Sequence, residues 1–213
     1  MTRGHAMNRK DLIDAVTPYT VLDRPRLESL YDLACAAKEL PGCFVECGCG
    51  RGGSAGLLAG VLQSQPNPKR LYVCDTFEGL PPPDLDVDHA EDWSREKVAS
   101  VTGSSKGTVA QITGICQLAG RSVPVTCRQG LYADTLPSLD CGPIALLHAD
   151  ADWYYSTRQI LEALWPKVVR GGYLILDDYH FWSGCKQAVD EFFEHVPGAM
   201  EWKTVSCAVW GRK

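Results

Sequence analysis

The chain has 213 residues, 45% of them hydrophobic and 22% charged, with a formal net charge of −5. That composition is globular and excludes a disordered or fibrous chain, and no apolar run approaches the ~18 residues a membrane helix needs. The acidic balance argues against a nucleic-acid backbone as partner.

The N-terminus, MTRGHAMNRK, has basic residues with no apolar run behind them, so it does not read as a secretory leader. Residues 1–6, ahead of Met7, read as a tag remnant, and 1–24 as an extension to a single domain over 25–213. A helix is predicted over 25–39, with Pro25 in its first turn and Leu27, Leu30, Tyr31 and Ala34 on one face. After Pro41-Gly42, CFVEC reads as a buried strand. The turn GCGRGG leads into a helix over SAGLLAGVLQ, whose first residues are small. QPNPK is a loop and RLYVCD the second strand. Residues 79–104, polar and opened by a triple proline, read as a surface excursion that is either a mobile lid over the cofactor, since long loops in compact domains are often functional, or simply solvated acidic surface. A helix over about 105–118 precedes the strand VPVTCRQG. The strand PIALLHAD, a helix near 155–167, the strand GGYLILDD and a helix over about 184–195 follow. Two strand candidates, MEWKTV and CAVWGR, close the chain.

Strands alternating with helices imply an α/β fold whose mostly parallel sheet is covered on both faces. The closing pair leaves little room for a crossover helix and is expected to pair antiparallel. Ligands of such sheets bind beyond the carboxyl ends of the strands. Those ends carry Glu46, Asp75, Asp150, Asp152 and the pair Asp177-Asp178. The ten cysteines are scattered, without paired CxxC clusters, so zinc is not indicated. Cys43, Cys47, Cys74 and Cys127 fall inside apolar strands, where a free thiol acts as a small hydrophobe, and a reducing cytoplasm follows.

VECGCGRGGS holds a G-x-G-x-x-G at Gly48, Gly50 and Gly53, between a strand and a helix. Asp75 ends the next strand, where an acid can accept hydrogen bonds from both ribose hydroxyls. Together they indicate a ribonucleoside cofactor, with Ser54 and Thr76 in the same binding set. NAD and S-adenosylmethionine enzymes share this pattern. Glu46 suits a cationic amino-acid group and would repel a pyrophosphate, and there is no second domain to hold a dehydrogenase substrate, so adenosylmethionine is preferred. Tyr132 and Asp134, after the third strand, either approach the adenine or simply open a short helix.

If the strands ending at Asp150 and at Asp177-Asp178 are neighbours, three carboxylates converge, which is unfavourable unless a cation or protons neutralise them. Hard oxygen ligands that leave room for water and substrate suit Mg²⁺ better than zinc. The plainer alternative is that Asp177 or Asp178 only caps the following turn. His180 is a candidate base or acceptor contact. His148, inside a strand, reads as buried and hydrogen-bonded. Trp153, Tyr154, Phe181 and Trp182 either face the acceptor or fill the core. DLDVDHAED begins like a calcium loop at Asp84, Asp86 and Asp88. His89 at the glycine position and Arg95 at the bidentate position reject that reading.

Four stretches in this order, VECGCGRGGS, DTFEGLP, DADWYYST and GGYLILDDYH, resemble the macrocin-type O-methyltransferases. That family modifies sugar hydroxyls of natural products and includes the mycinamicin and novobiocin sugar methyltransferases. The likeness runs from about residue 27 to the C-terminus. It implies a Rossmann-like class I methyltransferase fold, with a seven-stranded sheet ending in an antiparallel hairpin. It implies S-adenosylmethionine bound by Glu46 and the Gly48–Gly53 loop at its methionine end and by Asp75 at its ribose. It further implies Mg²⁺ on Asp150, Asp177 and Asp178, with Asp152 as general base and His180 as the alternative. The family's glycine between the two acids is Ala151 here, and its glutamate before Ser-Thr is Tyr155, two changes placed to reshape the acceptor pocket. The expected partner is a small hydroxylated acceptor, most simply a deoxysugar. A catechol-like phenol keeps the chemistry; a nicotinamide-dependent oxidoreductase and a non-catalytic adenosylmethionine-binding protein are the alternatives from other classes. In the family the N-terminal region, which is short here, helps build subunit contacts and cover the site; a homo-oligomer, dimer or higher, and a monomer both stay open.

Overall fold

A computed structural model describes residues 7–196 and 200–213. The tag remnant expected at 1–6 lies outside the described residues. Seven strands form one sheet: β1 (Cys43–Cys47), β2 (Leu71–Asp75), β3 (Val125–Gln129), β4 (Ile144–Ala149), β5 (Val168–Leu176), β6 (Lys203–Val205) and β7 (Ala208–Arg212). Their order is β3-β2-β1-β4-β5-β7-β6. All neighbours are parallel except β7, which runs antiparallel to both β5 and β6. The α/β sheet and its antiparallel closing pair thus stand as expected. The strand order reverses between β1 and β4, so their carboxyl ends open a crevice.

Side chains alternate across the sheet and divide the core in two. Phe44, Leu71, Leu146 and Ile175 face α2 (Arg24–Ala37), α3 (Gly53–Leu62) and α5 (Val109–Ala119). Val45, Cys47, Leu147, Leu174 and Leu176 face α7 (Tyr154–Leu164) and α8 (Ser183–Glu194). The helix predicted from Pro25 is α2; Asp23 caps it by accepting the N–H of Arg26, and Leu27, Leu30 and Ala34 are buried as its periodicity requires. No helix among the described residues is long and apolar enough to cross a membrane. All ten cysteines are free thiols.

Two segments differ from expectation. The stretch read as an extension folds into α1 (Arg9–Val16), whose Leu12, Ile13 and Val16 are buried. The reason lies on α3, where a Cβ added at Gly60 would meet Leu12 at 2.5 Å and one at Gly53 would meet Thr20 at 2.8 Å. The small face of α3 is therefore the bed on which residues 12–20 lie.

The excursion over 79–104 carries a short helix, α4 (Arg95–Ala99), and is anchored rather than free-standing. Buried Asp88 accepts the N–H of Tyr154 at 2.8 Å and the N–H of Asp84 at 2.8 Å. It thereby caps α7 in place of Trp153, the local N-cap residue, which supplies no side-chain hydrogen bond. Trp153 Nε1 donates to the Pro81 carbonyl at 2.8 Å, and Ser183 Oγ donates to the Val87 carbonyl at 2.6 Å. The helix predicted from about 105 starts later, because the Leu80 N–H donates to the Ser104 carbonyl, the Gly103 N–H donates to the Leu80 carbonyl, and Thr108 provides the cap of α5.

If α1 belongs to the core, Leu12→Ala should cost ~2–5 kcal/mol, the usual range for emptying a buried leucine site. Urea unfolding at fixed m-value measures it; a change below ~0.5 kcal/mol, typical of surface sites, would make α1 peripheral.

Candidate functional site

The cleft lies beyond the carboxyl ends of β1, β2, β4 and β5. Gly48 opens its floor with a φ of +84°, and a Cβ there would lie 1.6 Å from the Asp150 carbonyl oxygen. Only glycine lets the backbone leaving β1 lie against the backbone leaving β4. Asp75 secures the loop: its Oδ2 accepts the Cys49 N–H and its Oδ1 accepts the Phe77 N–H, each at 2.8 Å. Carboxylate oxygens have further lone pairs, so Asp75 remains able to accept from a ligand in the cleft it lines with Gly48, Cys49, Gly50 and Arg51. Thr76 and Tyr132 line an adjoining recess with Asp75, Ala151 and Leu131. The Thr76 hydroxyl is spent within its turn, donating to the Gly79 carbonyl at 3.0 Å. Burial raises the Tyr132 phenol well above its ordinary value, keeping it a neutral donor.

Parallel pairing of β4 with β5 sets Ala149 opposite Leu176, so Asp150 and Asp177-Asp178 leave the sheet side by side. Asp150, Asp177 and Asp178 each offer an oxygen within 4.8 Å of the others. Asp152 stands beside them with a φ of +58°, a left-handed conformation that aspartate tolerates better than most residues. Its N–H donates to Asp178 Oδ2 at 3.0 Å, and its Oδ1 accepts Trp182 Nε1–H at 2.8 Å. Burial and then the neighbouring acids push the Asp150 and Asp178 carboxyls well up. Asp152 is pushed up to about 7 by burial and by Asp177 and Asp88, against the Trp182 hydrogen bond. Three carboxylates with converging oxygens fit a small hard divalent cation, Mg²⁺ rather than zinc. All four acids line the same cleft as the glycine loop and Asp75.

Other expected residues lie elsewhere. Glu46 does not reach the cleft: it is fully buried beneath it, with His148 Nδ1 at 3.0 Å from its Oε1. It occupies an inward-facing position of β1 directly opposite His148 in register. Burial pulls the His148 imidazole down, but Asp177 and Glu46 outweigh that and hold it at about 9. His148 Nδ1 is within hydrogen-bond distance of Glu46 Oε1, and its Nε2 lies 4.0 Å from Asp177 Oδ1. Gly53 and Ser54 also miss the cleft, because the first turn of α3 is covered by residues 16–20. His180 is on the outer surface, its Nε2 at 3.4 Å from Thr204 Oγ1, and does not share the acids' cleft. Its placement removes it as a base beside Asp152. Trp153 and Trp182 are buried and packed edge-to-face at 4.7 Å, so they fill the core; Phe181 is 41% exposed.

The sequence reading missed Arg26, Thr20 and Val21, which wall the cleft from the N-terminal segment. Arg26 Nη1 donates to Asp177 Oδ2. The two residues are 151 positions apart, and no local pattern marks the pair. The one available signal was the resemblance, in which the N-terminal region covers the site.

Residues 4–212 match the family model described as Macrocin-O-methyltransferase (TylF). The chain is 33% identical to demethyldecarbamoylnovobiocin O-methyltransferase of Streptomyces niveus, over 82% of this chain and 67% of that protein. It is 33% identical to the 8-demethyl-8-(2,3-dimethoxy-alpha-L-rhamnosyl)-tetracenomycin-C 4'-O-methyltransferase of Streptomyces olivaceus, over 73% of this chain and 59% of that one. Among solved structures it superposes on the O-methyltransferase NovP with a TM-score of 0.76 at 29% identity, covering 92% of this chain and 82% of NovP.

Two glycine substitutions separate strain from propensity. Gly48→Ala should destabilise by more than ~1 kcal/mol, having both a positive φ and a backbone clash. Gly114→Ala, inside α5 with nothing within 4 Å of an added Cβ, should stabilise by ~0.5–1 kcal/mol. Urea melts of the two variants give the comparison; similar shifts would mean that the loop at Gly48 yields freely.

Proposed function

The chain belongs to the macrocin-O-methyltransferase family, and on that premise we propose that it transfers the methyl group of S-adenosylmethionine to a hydroxyl of a small acceptor, a deoxysugar of a natural product, with Mg²⁺ in the carboxylate cluster. One observation carries the reading: Asp150, Asp177 and Asp178 meet within 4.8 Å, in the cleft that Asp152, Asp75 and the glycine loop also line. The Gly48–Arg51 loop takes the methionine end of the donor, Asp75 the ribose, and the recess at Thr76 and Tyr132 the adenine. Glu46 acts from below, through His148, rather than on the donor itself. Asp150, Asp177 and Asp178 hold Mg²⁺, which when bound lowers the cost of removing a proton from an alcohol.

The sulfonium is already a good leaving group, so the protein has to aim and to take one proton. The acceptor oxygen attacks the methyl carbon, the carbon–sulfur bond breaks with its electron pair going to sulfur, and Asp152 receives the hydroxyl proton. Trp182 Nε1–H holds the Asp152 carboxylate in place for that role. In-line placement of oxygen, carbon and sulfur supplies much of the acceleration, because effective molarities for well-oriented groups are large. With the family established, a nicotinamide-dependent oxidoreductase is set aside. Ten free thiols suit an enzyme of the reducing cytoplasm.

Side-by-side assays with S-adenosylmethionine and panels of deoxysugar conjugates and catechols test the acceptor. Turnover of catechols alone would replace the sugar reading with a phenol one. Asp150→Ala, or chelation, should abolish turnover while donor affinity stays nearly unchanged; undiminished turnover would remove the metal. Asp152→Asn should lower kcat ~10²–10⁴-fold, the usual worth of a general base, and full activity would hand the proton to water. Asp75→Ala should weaken donor binding by ~10–100-fold in calorimetry, as expected for losing charge-assisted hydrogen bonds; no change would refute the ribose assignment.

A further inference from the structure

The carboxylate cluster has a cation of its own. Arg26, at the start of α2, has a side chain only 13% exposed and places Nη1 on Asp177 Oδ2. It is held there from behind: Asp23 Oδ1 accepts from Arg26 Nε at 3.3 Å, and the Val21 carbonyl accepts from Nη2 at 3.3 Å. On the other side of the same carboxylate, His148 Nε2 lies 4.0 Å from Asp177 Oδ1, beyond hydrogen-bond reach. Asp177 Oδ2 thus has a cationic partner in contact, whereas among the described residues no cationic side chain pairs with Asp150 or Asp178. Of the three acids placed to hold a divalent cation, one is already occupied by the N-terminal segment.

We propose that Arg26 is the resident counter-ion of this cluster and competes with a divalent cation for Asp177, so that cation loading is linked to the seating of residues 20–26. The inference rests on the metal reading above and adds a positioning residue to it. A guanidinium and a divalent cation on one carboxylate repel each other in a site of low dielectric. A cation that takes Asp177 Oδ2 therefore loosens Arg26, and with it Val21 and Thr20, which wall the cleft. Without a cation, Arg26 keeps that wall closed on Asp177 and offsets the repulsion among the acids. Linkage is reciprocal: whatever favours the Arg26–Asp177 pair opposes cation binding, and the reverse.

The test uses the full chain, with Mg²⁺ and Mn²⁺ titrated by calorimetry and no donor or acceptor present. Arg26→Gln removes the charge and should bind Mg²⁺ more tightly, on the order of tenfold, a usual size for linked equilibria. It should also melt lower than the parent without metal and gain more in Tm on adding Mg²⁺. Arg26→Lys restores the charge and should return metal affinity towards the parent value. If Arg26→Gln binds Mg²⁺ as the parent does, or more weakly, the inference is wrong although the metal reading stands. If the parent and both variants bind neither cation, the metal reading itself fails and takes this inference with it. Hydrogen exchange on the unaltered protein gives a readout independent of how the variants fold. Mg²⁺ at saturation should speed exchange over residues 20–26, and unchanged or slower exchange there overturns the proposal.

Discussion

Acidic groups crowded at one crevice are the constraint around which this molecule is built. Parallel strands deliver Glu46, Asp75, Asp150, Asp177 and Asp178 to one edge of the sheet, and the turn after β4 adds Asp152. Left alone, such a group would hold protons or push the strand ends apart. The structure answers in three ways. His148 pairs with Glu46 within the sheet, Arg26 reaches Asp177 from α2, and the backbone N–H groups of Cys49, Phe77 and Asp152 bind carboxylate oxygens directly. The carboxyls left without a cationic partner are those of Asp150 and Asp178, where the chemistry of a small divalent cation fits.

The geometry of Asp152 depends on elements far from it in sequence. Its Oδ1 is held by Trp182, which packs edge-to-face against Trp153 and Trp93. Trp93 belongs to the 79–104 excursion, and Trp153 is tied to Pro81 at the other end of that segment. Asp88 completes the fastening at the first turn of α7. The excursion therefore works as a buttress behind the candidate base. The two departures from the family pattern divide accordingly: Ala151 is buried and faces the recess next to Asp75, whereas Tyr155 is 58% exposed and packs edge-to-face on Tyr154. A methyl group at Ala151 narrows the recess; Tyr155 reshapes only the outer rim.

Much of the fold was legible along the chain. Short continuous apolar runs such as CFVEC and PIALLHAD, bounded by glycine and proline, read as buried strands, and their alternation with helical segments dictates a parallel sheet. Because ligands gather at the carboxyl ends of such strands, the acids there could be named before their geometry was known, and Asp75, Asp150, Asp152, Asp177 and Asp178 do share one cleft. The helix α1 was not legible: RKDLIDAV is short and half polar, and its burial is decided by the glycines of α3 that receive it.

What the sequence by itself determined is periodicity and the chemistry of strand ends, since both follow from residues adjacent along one backbone. Only the tertiary structure could decide which way each end-of-strand side chain faces and what meets it. Glu46 and Asp75 look equivalent as acids near the ends of neighbouring strands, yet one is sealed against His148 and the other lines the cleft. His180 follows the acid pair by two residues, yet the turn carries it to the outer surface. Arg26 reaches Asp177 across 151 residues because α2 covers the sheet face onto which Asp177 projects. Such pairings are set by helix placement over a twisted sheet, and that is a property of packing rather than of any local run of residues.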